Sequence, residues 1–218
     1  MLIIGHRGAK GDFEENTIES LQFGIDEGAD ILEFDVRMTS DRILIMSHDP
    51  KIYGLTIAKH TLAELRECGH ITLLKDVLDT FFGEVLLNLE YKPARGMTAV
   101  NNMISSYIKK PSDWDNIIVS SFHVRSLARL RYLNKDINLA LLHSMNPYMF
   151  VPFVRTLNLT AVGWHRLHVN DIAIEVAKRA GLFTYVYTAN RAKTVDLFAL
   201  KGIDGIVTDY PRKFQQSN

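Results

Sequence analysis

Hydrophobic and polar positions alternate with a period of two over residues 31–36, which predicts a β-strand. Glu33 and Asp35 share one face of this strand with Ile31. The opposite face is wholly apolar and consists of Leu32, Phe34 and Val36. We therefore expect that face to be buried and the two carboxylates to point into whatever the sheet encloses. Carboxylates enclosed this closely need a cation or a proton between them.

The same patterns predict elements along the rest of the chain. Apolar runs predict further strands at residues 2–5, 43–47, 85–91, 117–121, 139–142, 161–164, 184–187 and 205–208. Helical periodicity predicts helices at residues 18–28, 62–68, 73–82, 97–108, 124–133, 148–157, 171–180 and 193–200. Asn16 and Glu19 have the spacing of a capping box at the start of the first helix.

Strands that alternate with helices indicate a parallel sheet, and this number of strands favours a closed α/β barrel of the (β/α)8, or TIM-barrel, type. Nine strands are predicted, so one is extra. The segment 43–47 is the best candidate, because too few residues precede it for a helical crossover. We expect residues 1–218 to form one domain with a short insertion at about residues 50–84.

Composition narrows the functional class. Lysine plus arginine equals aspartate plus glutamate, 25 each, so no global charge favours nucleic acid or an anionic membrane. Cys68 is the single cysteine, which excludes an internal disulfide. A strand is predicted from the first residues, and no segment has the apolar length of a membrane span. These features predict a soluble cytoplasmic protein without stable membrane insertion and leave its oligomeric state open.

Reactive groups in such barrels lie at the carboxyl ends of the strands. His6 and Arg7 follow the first strand, His48 follows the extra one, and Glu90 and Lys92 share a face near residue 91. With Glu33 and Asp35 they make an oxygen-rich site that suits Mg²⁺ or Ca²⁺ better than zinc. One divalent cation, two basic side chains and two imidazoles together favour chemistry on a phosphate ester.

Several motifs in order resemble the glycerophosphodiester phosphodiesterase family over nearly the whole chain. They are His6-Arg7-Gly8-Ala9, Glu15-Asn16-Thr17, Glu33-Phe34-Asp35-Val36, His48-Asp49, Asn88-Leu89-Glu90-Tyr91-Lys92, Ser121-Phe122, Val186-Tyr187-Thr188-Ala189-Asn190 and residues 204–211. The resemblance implies a barrel of the phosphatidylinositol-phospholipase-C type, a divalent metal ion, and hydrolysis of glycerophosphodiesters to glycerol 3-phosphate and an alcohol.

The resemblance also implies roles for individual residues. Its matches are Glu33, Asp35 and Glu90 as metal ligands, His6 and His48 as the acid/base pair, and Arg7 and Lys92 as phosphate contacts. Similar enzymes are thought to use the neighbouring glycerol hydroxyl as an internal nucleophile, so that a cyclic phosphate forms and water then opens it. Small diesters such as glycerophosphocholine or glycerophosphoethanolamine are the expected substrates.

Two features depart from the family pattern. The insertion after His48-Asp49 is reduced, which predicts a more open site. Tyr187 stands where the family has tryptophan, and Trp164 on the preceding predicted strand is a candidate replacement. We therefore consider Phe122, Trp164 and Tyr187 as possible pocket residues, although core packing is the default role of an aromatic side chain.

Other interpretations stay open at this point. The acids could lie on a half-exposed strand, the histidines could be structural, and Arg7 and Lys92 could be interior salt-bridge partners. The nearest functional rival is a lysophospholipase D or sphingomyelinase D type enzyme on the same barrel. A non-catalytic barrel that binds a phosphodiester is a second rival. A glycosidase fits poorly, because it needs neither the metal nor the Arg7/Lys92 pair.

Overall fold

The computed structural model describes residues 1–214, which form a strand-and-helix alternation close to the predicted one. In chain order the strands are β1 (Leu2–His6), β2 (Ile31–Met38), β3 (Leu44–Met46), β4 (Lys51–Ile52), β5 (Leu55–Thr56), β6 (Leu86–Tyr91), β7 (Ile117–Ser121), β8 (Asn138–His143), β9 (Ala161–His165), β10 (Phe183–Tyr187) and β11 (Gly205–Thr208). The helices are α1 (Ile18–Asp26), α2 (Leu62–Arg66), α3 (Leu74–Phe81), α4 (Met97–Ser105), α5 (Val124–Leu133), α6 (Asp171–Arg179) and α7 (Ala192–Leu200).

Eight of the strands close into a parallel barrel. The pairing runs from β1 through β2, β6, β7, β8, β9 and β10 to β11, and β11 pairs with β1 in parallel to complete the ring. Closure leaves no free edge and gathers the carboxyl ends of all eight strands at one mouth. The predicted (β/α)8 fold class is confirmed.

The extra strand is β3, as predicted. It pairs antiparallel with the last residues of β2, with Met38 opposite Leu44 and Val36 opposite Met46. It therefore lies at the mouth, beyond the closed ring. Between β3 and β6 the chain forms the β4–β5 hairpin, α2 and α3, and a small apolar cluster lies beneath them (Ile45, Ile57, Leu65 and Ile71).

Apolar side chains occupy two layers of the barrel. Leu32, Phe34 and Val36 project outward from β2 into a large core between the strands and the helices. Ile4 and Ile31 belong to a smaller cluster inside the ring. Both faces of β2 are therefore buried, as expected for a parallel barrel strand covered by helices.

The prediction of a helix at residues 148–157 is wrong. The segment forms turns and a single 3₁₀ turn, Val151–Phe153, in which Phe153 N–H donates to the carbonyl of Phe150. Pro152 lacks the N–H that would donate to the carbonyl of Tyr148 in an α-helix over this segment. Apolar periodicity persists in this segment because it packs on the core.

The first helix is capped by Thr17 rather than by Asn16. The Thr17 hydroxyl accepts a hydrogen bond from the N–H of Ser20 at 3.1 Å, which satisfies one of the free donors of the helix start. Asn16 adopts φ +61° and turns its side chain into the barrel mouth instead. Over residues 1–214, no helix combines the length and the apolar character needed to cross a bilayer.

Candidate active site

Three carboxylates meet inside the barrel near its mouth. Glu33 and Asp35 project from β2, and Glu90 projects from β6, where it lies in register with Asp35. Each side chain offers an oxygen within 4.8 Å of the oxygens of the other two. Their exposed fractions are 4%, 1% and 9%, so the alternative of a solvated strand face is excluded.

Two cations border the acids. Arg7 Nε lies 2.9 Å from Asp35 Oδ2, Lys92 Nζ lies 2.8 Å from Asp35 Oδ1, and Lys92 also contacts Glu90. Burial on its own would raise the pKa of Asp35, but the charges of Lys92 and Arg7 outweigh it and the pKa lies below its ordinary value. Asp35 is therefore held ionised.

The other two acids are less well compensated. Burial, together with the charges of Asp35 and Glu90, raises the pKa of Glu33 well above its ordinary value. Burial also raises the pKa of Glu90, against the opposing charge of Lys92. Three carboxylates thus face two cations, and one further positive charge among them would restore balance.

The donor atoms fit a hard divalent ion. Glu33, Asp35 and Glu90 supply only oxygens, at a mutual spacing compatible with coordination of one ion. Asn88 Oδ1 is buried beside the same cavity and has no hydrogen-bond partner among residues 1–214. An oxygen-rich site of this kind suits Mg²⁺ or Ca²⁺, whereas zinc prefers nitrogen and sulfur.

His6 at the end of β1 is held by a carboxylate from the last barrel strand. Its Nδ1 lies 2.5 Å from Oδ1 of Asp209, which directly follows β11. Asp209 Oδ2 accepts a hydrogen bond from Asn190 Nδ2 at 2.6 Å. Burial would raise the pKa of Asp209, but the contact with His6 and the hydrogen bond from Asn190 lower it. The pair orients the imidazole through one nitrogen.

His48 approaches from the antiparallel strand β3. Its Nδ1 lies 2.8 Å from Asp49 Oδ1, and its backbone carbonyl accepts two hydrogen bonds from Arg37, at 2.9 Å and 2.7 Å. The side chain is 38% exposed. Partial burial and then the charge of Lys92 lower the pKa of His48, which favours the neutral imidazole.

Both imidazoles, two of the three acids and both basic side chains border one cavity of about 170 Å³. These lining residues are His6, His48, Glu33, Glu90, Arg7 and Lys92. Asp35 reaches the same point through its oxygen contacts with Glu33 and Glu90. Side chains from four separate stretches of the first half of the chain are thus brought together at the mouth of the barrel.

The model of the glycerophosphoryl diester phosphodiesterase family matches residues 6–213. This protein belongs to that family. The match begins at His6 and extends past Asp209, so it includes every residue of the cavity described above.

Individual relatives agree with this membership. A glycerophosphodiester phosphodiesterase from Bacillus altitudinis is 29% identical over 96% of this chain and 94% of its own length. The structure of a Thermotoga maritima glycerophosphodiester phosphodiesterase superposes with a TM-score of 0.83 at 28% identity, covering 98% of this chain and 96% of the other. An Oleispira antarctica phosphodiesterase, solved with the product sn-glycerol-3-phosphate, gives 0.85 at 24% identity, covering 99% and 95%. The prediction that this chain is a phosphodiesterase enzyme is confirmed.

The aromatic residues considered for the pocket divide into two groups in this family member. Phe122 and Tyr187 line the cavity, with ring centroids 6.0 Å apart in an edge-to-face arrangement. Trp164 does not replace Tyr187 there. It is fully buried in the outer core, where its ring packs on Phe150 and its Nε1–H donates to the carbonyl of Pro147. Trp164 projects from the face of β9 opposite to His165, so it points away from the barrel interior.

Sequence reasoning left three supporting residues without a definite role. Asn16 donates to Asp35 Oδ2 at 3.1 Å and accepts from the Asp35 N–H at 2.9 Å. Both carboxylate oxygens of Glu15 accept from Arg7 Nη1 at 2.7 Å. Asp209 lies in the motif at residues 204–211, directly after a predicted strand, and contacts His6. All three lie in motifs that the family resemblance had already marked, which was the available signal.

Proposed function

We propose that this protein hydrolyses glycerophosphodiesters to glycerol 3-phosphate and an alcohol, with a divalent ion and a histidine acid/base pair. The observation that carries the proposal is the convergence of His6, His48 and three buried carboxylates on one cavity. A protein that only binds a phosphodiester needs no paired proton donor and acceptor. The complex of the Oleispira antarctica phosphodiesterase with sn-glycerol-3-phosphate supports the same product here.

Glu33, Asp35 and Glu90 would hold one Mg²⁺ or Ca²⁺ ion. When bound, the ion supplies Lewis-acid stabilisation of the negative charge that develops on the phosphoryl oxygens. It would also offset the burial and the charges of Asp35 and Glu90, which together raise the pKa of Glu33. We propose only Mg²⁺ and Ca²⁺ as candidates, because the ligand set consists of oxygen atoms.

Arg7 and Lys92 would contact the phosphate. Arg7 is fixed between Glu15 and Asp35, and Lys92 between Asp35 and Glu90, so both cations are oriented before substrate arrives. Such preorganised charge stabilises a developing phosphoryl charge without rearrangement during the reaction. The interior salt bridges of these residues are therefore compatible with substrate binding.

Proton transfer would use both histidines. One imidazole takes the proton of the glycerol hydroxyl next to the phosphate. The oxygen of that hydroxyl then attacks phosphorus and displaces the alcohol. The other imidazole protonates the departing oxygen, and water then opens the cyclic phosphate with the two roles exchanged. Asp209 accepts at His6 Nδ1, so the Nε2 atom is the one left to exchange protons in the cavity.

A coupled assay for released glycerol 3-phosphate tests this proposal. The purified protein is given glycerophosphocholine, glycerophosphoethanolamine and glycerophosphoglycerol, with and without chelator, and Mg²⁺ or Ca²⁺ is then restored. We expect turnover that chelation removes and one of the two ions restores. Turnover that survives full chelation would exclude the metal-dependent mechanism, and faster release of choline from lysophosphatidylcholine would favour the lysophospholipase D alternative.

A further inference from the structure

A second cavity, of about 610 Å³, lies beside the catalytic one. It is bordered by the loop after β9, by the loop after β10 and by α7, and its lining includes Arg166, Thr188 and Arg191. Thr188 lines both cavities, so the second one begins where the catalytic cavity ends. A diester whose phosphate lies at the acids can extend one of its two arms in this direction.

The charge in this second cavity is positive and uncompensated by close contacts. Among residues 1–214, neither Arg166 nor Arg191 has a carboxylate oxygen within 4.0 Å. The nearby Asn190 side chain is neutral, and its amide is already hydrogen-bonded to Asp209 and Thr208. Two guanidinium groups therefore face one concave space without an internal counter-ion.

The positive charge of Arg166 also acts on the neighbouring imidazole, His165. Burial and then the positive charge of Arg166 lower the pKa of His165, and His168 acts in the same direction. Arg166 and Arg191 therefore supply the positive charge of the rim next to the cavity. This rim lies across the mouth from the acid cluster, because β9 and β10 are on the opposite side of the ring from β2.

We propose that this second cavity binds an anionic group, a phosphate or a carboxylate, on the alcohol part of the diester substrate. Guanidinium groups bind both anions through paired N–H donors, and their planar geometry suits them better than a lysine ammonium. The proposal rests on the proposed function and specifies its substrate class. A choline group would instead bring a third positive charge next to two unpaired ones.

Matched pairs of substrates test the proposal. Glycerophosphoglycerol is compared with the same diester carrying a phosphate monoester on the leaving glycerol, and glycerophosphoethanolamine is compared with glycerophosphoserine. The first pair differs by one phosphate and the second by one carboxylate. We expect kcat/KM to be roughly tenfold or more higher for the anionic member of at least one pair. The responding pair identifies the anion.

The double variant Arg166→Gln/Arg191→Gln should bring that ratio close to one, mainly through KM, while turnover of glycerophosphoglycerol stays within about twofold. The matched control is Arg179→Gln/Lys193→Gln, which removes the same charge from exposed positions on α6 and α7 outside the cavity. The control should keep the preference. Equal kcat/KM within both pairs, a preference that survives the double variant, or its loss in the control would overturn the inference. Absence of turnover on every diester would instead refute the proposed function itself.

Discussion

The two ends of the barrel interior differ sharply, although the same strands build both. At the amino end, β1 and β2 contribute Ile4 and Ile31 to a mainly apolar cavity of about 250 Å³. Two residues further along each strand, His6 and Glu33 border the smaller catalytic cavity. One step of the strand period thus changes the interior from apolar packing to opposed charges.

This difference shows that cavity size does not locate the function of the barrel. The larger cavity offers mostly apolar surface, whereas the smaller one gathers buried acids whose pKa values are shifted by burial and by the charges of their neighbours. Burying uncompensated charge costs stability, and proteins keep such groups where function requires them. We call the amino end of the interior the floor. Substitutions at the mouth should therefore change activity, and substitutions at the floor should change stability.

The largest effect is expected at the mouth. His6→Ala and His48→Ala should each reduce kcat by roughly 10²- to 10⁴-fold, because each removes one of the two proton-transfer groups that we propose. Circular dichroism and the thermal midpoint should stay close to wild type, since neither side chain belongs to an apolar cluster. The measurement is the coupled release of glycerol 3-phosphate.

His123→Ala is the matched control for this pair, because His123 is exposed and lies outside the catalytic cavity. It should keep wild-type turnover. Near-normal kcat in His48→Ala would remove the acid/base assignment of that residue while leaving the barrel intact.

The floor should respond in the opposite way. Ile4→Ala should lower the free energy of unfolding by about 2–5 kcal/mol, because Ile4 is 1% exposed and already borders a cavity that the truncation would enlarge. Turnover per folded molecule should stay within about twofold. Urea denaturation and the coupled assay on the same preparation measure the two quantities, with Ile4→Val as the milder comparison.

An Ile4→Ala variant that lost turnover in proportion to its stability would show that floor and mouth are mechanically coupled. The present comparison treats them as separate, since Ile4 belongs to the small interior cluster and makes no contact that holds His6 to Asp209.

The acid cluster was accessible to sequence reasoning because its pattern is local. The period of two places Glu33 with Asp35 and Glu90 with Lys92 before any fold is known, and the barrel rule then brings the strand ends together. The position of His6 follows from the same rule, whereas His48 returns to the mouth because β3 runs antiparallel to the end of β2.

Other features depend on information that a local pattern lacks. The period of two separates Trp164 from His165 but does not say which of them faces inward, so Trp164 was wrongly considered for the pocket. Asn16 has the spacing of a cap, yet its φ of +61° and its bonds to Asp35 arise from tertiary contacts. Pro152, by contrast, was visible in the sequence and should have ended the predicted helix.

Glu33→Gln tests whether the acid cluster lowers stability while it favours binding of a cation. Glu33→Gln should weaken Mg²⁺ or Ca²⁺ binding by at least about tenfold, because it removes the charge of one of the three carboxylates that we propose as ligands. In the chelated protein the same change should raise the free energy of unfolding by about 1 kcal/mol, since it removes an acid whose charged form is disfavoured by burial and then by repulsion from Asp35 and Glu90. Calorimetric titration and urea denaturation measure the two effects.

Glu84→Gln, at an exposed position outside the cavity, is the charge-matched control and should change neither quantity. If Glu33→Gln destabilised the chelated protein, the view that the acid cluster is under electrostatic strain would be wrong.

The smallest effect concerns His143, which lies near the mouth at the end of β8. Its burial favours the neutral imidazole. Burial lowers its pKa to about 4. The unfolded chain, with a histidine pKa near its ordinary 6.5, therefore binds more protons between these values, so stability should fall as pH decreases from about 6.5 to about 4. The contribution of this one group to the slope is at most about 1.4 kcal/mol per pH unit. His143→Leu and His143→Gln should both flatten the curve in this window, because neither side chain titrates, and urea denaturation across the range measures it. A slope that persisted unchanged in both variants would assign the loss to the other histidines whose pKa lies below the ordinary value, His48 and His165, and would overturn the assignment to His143.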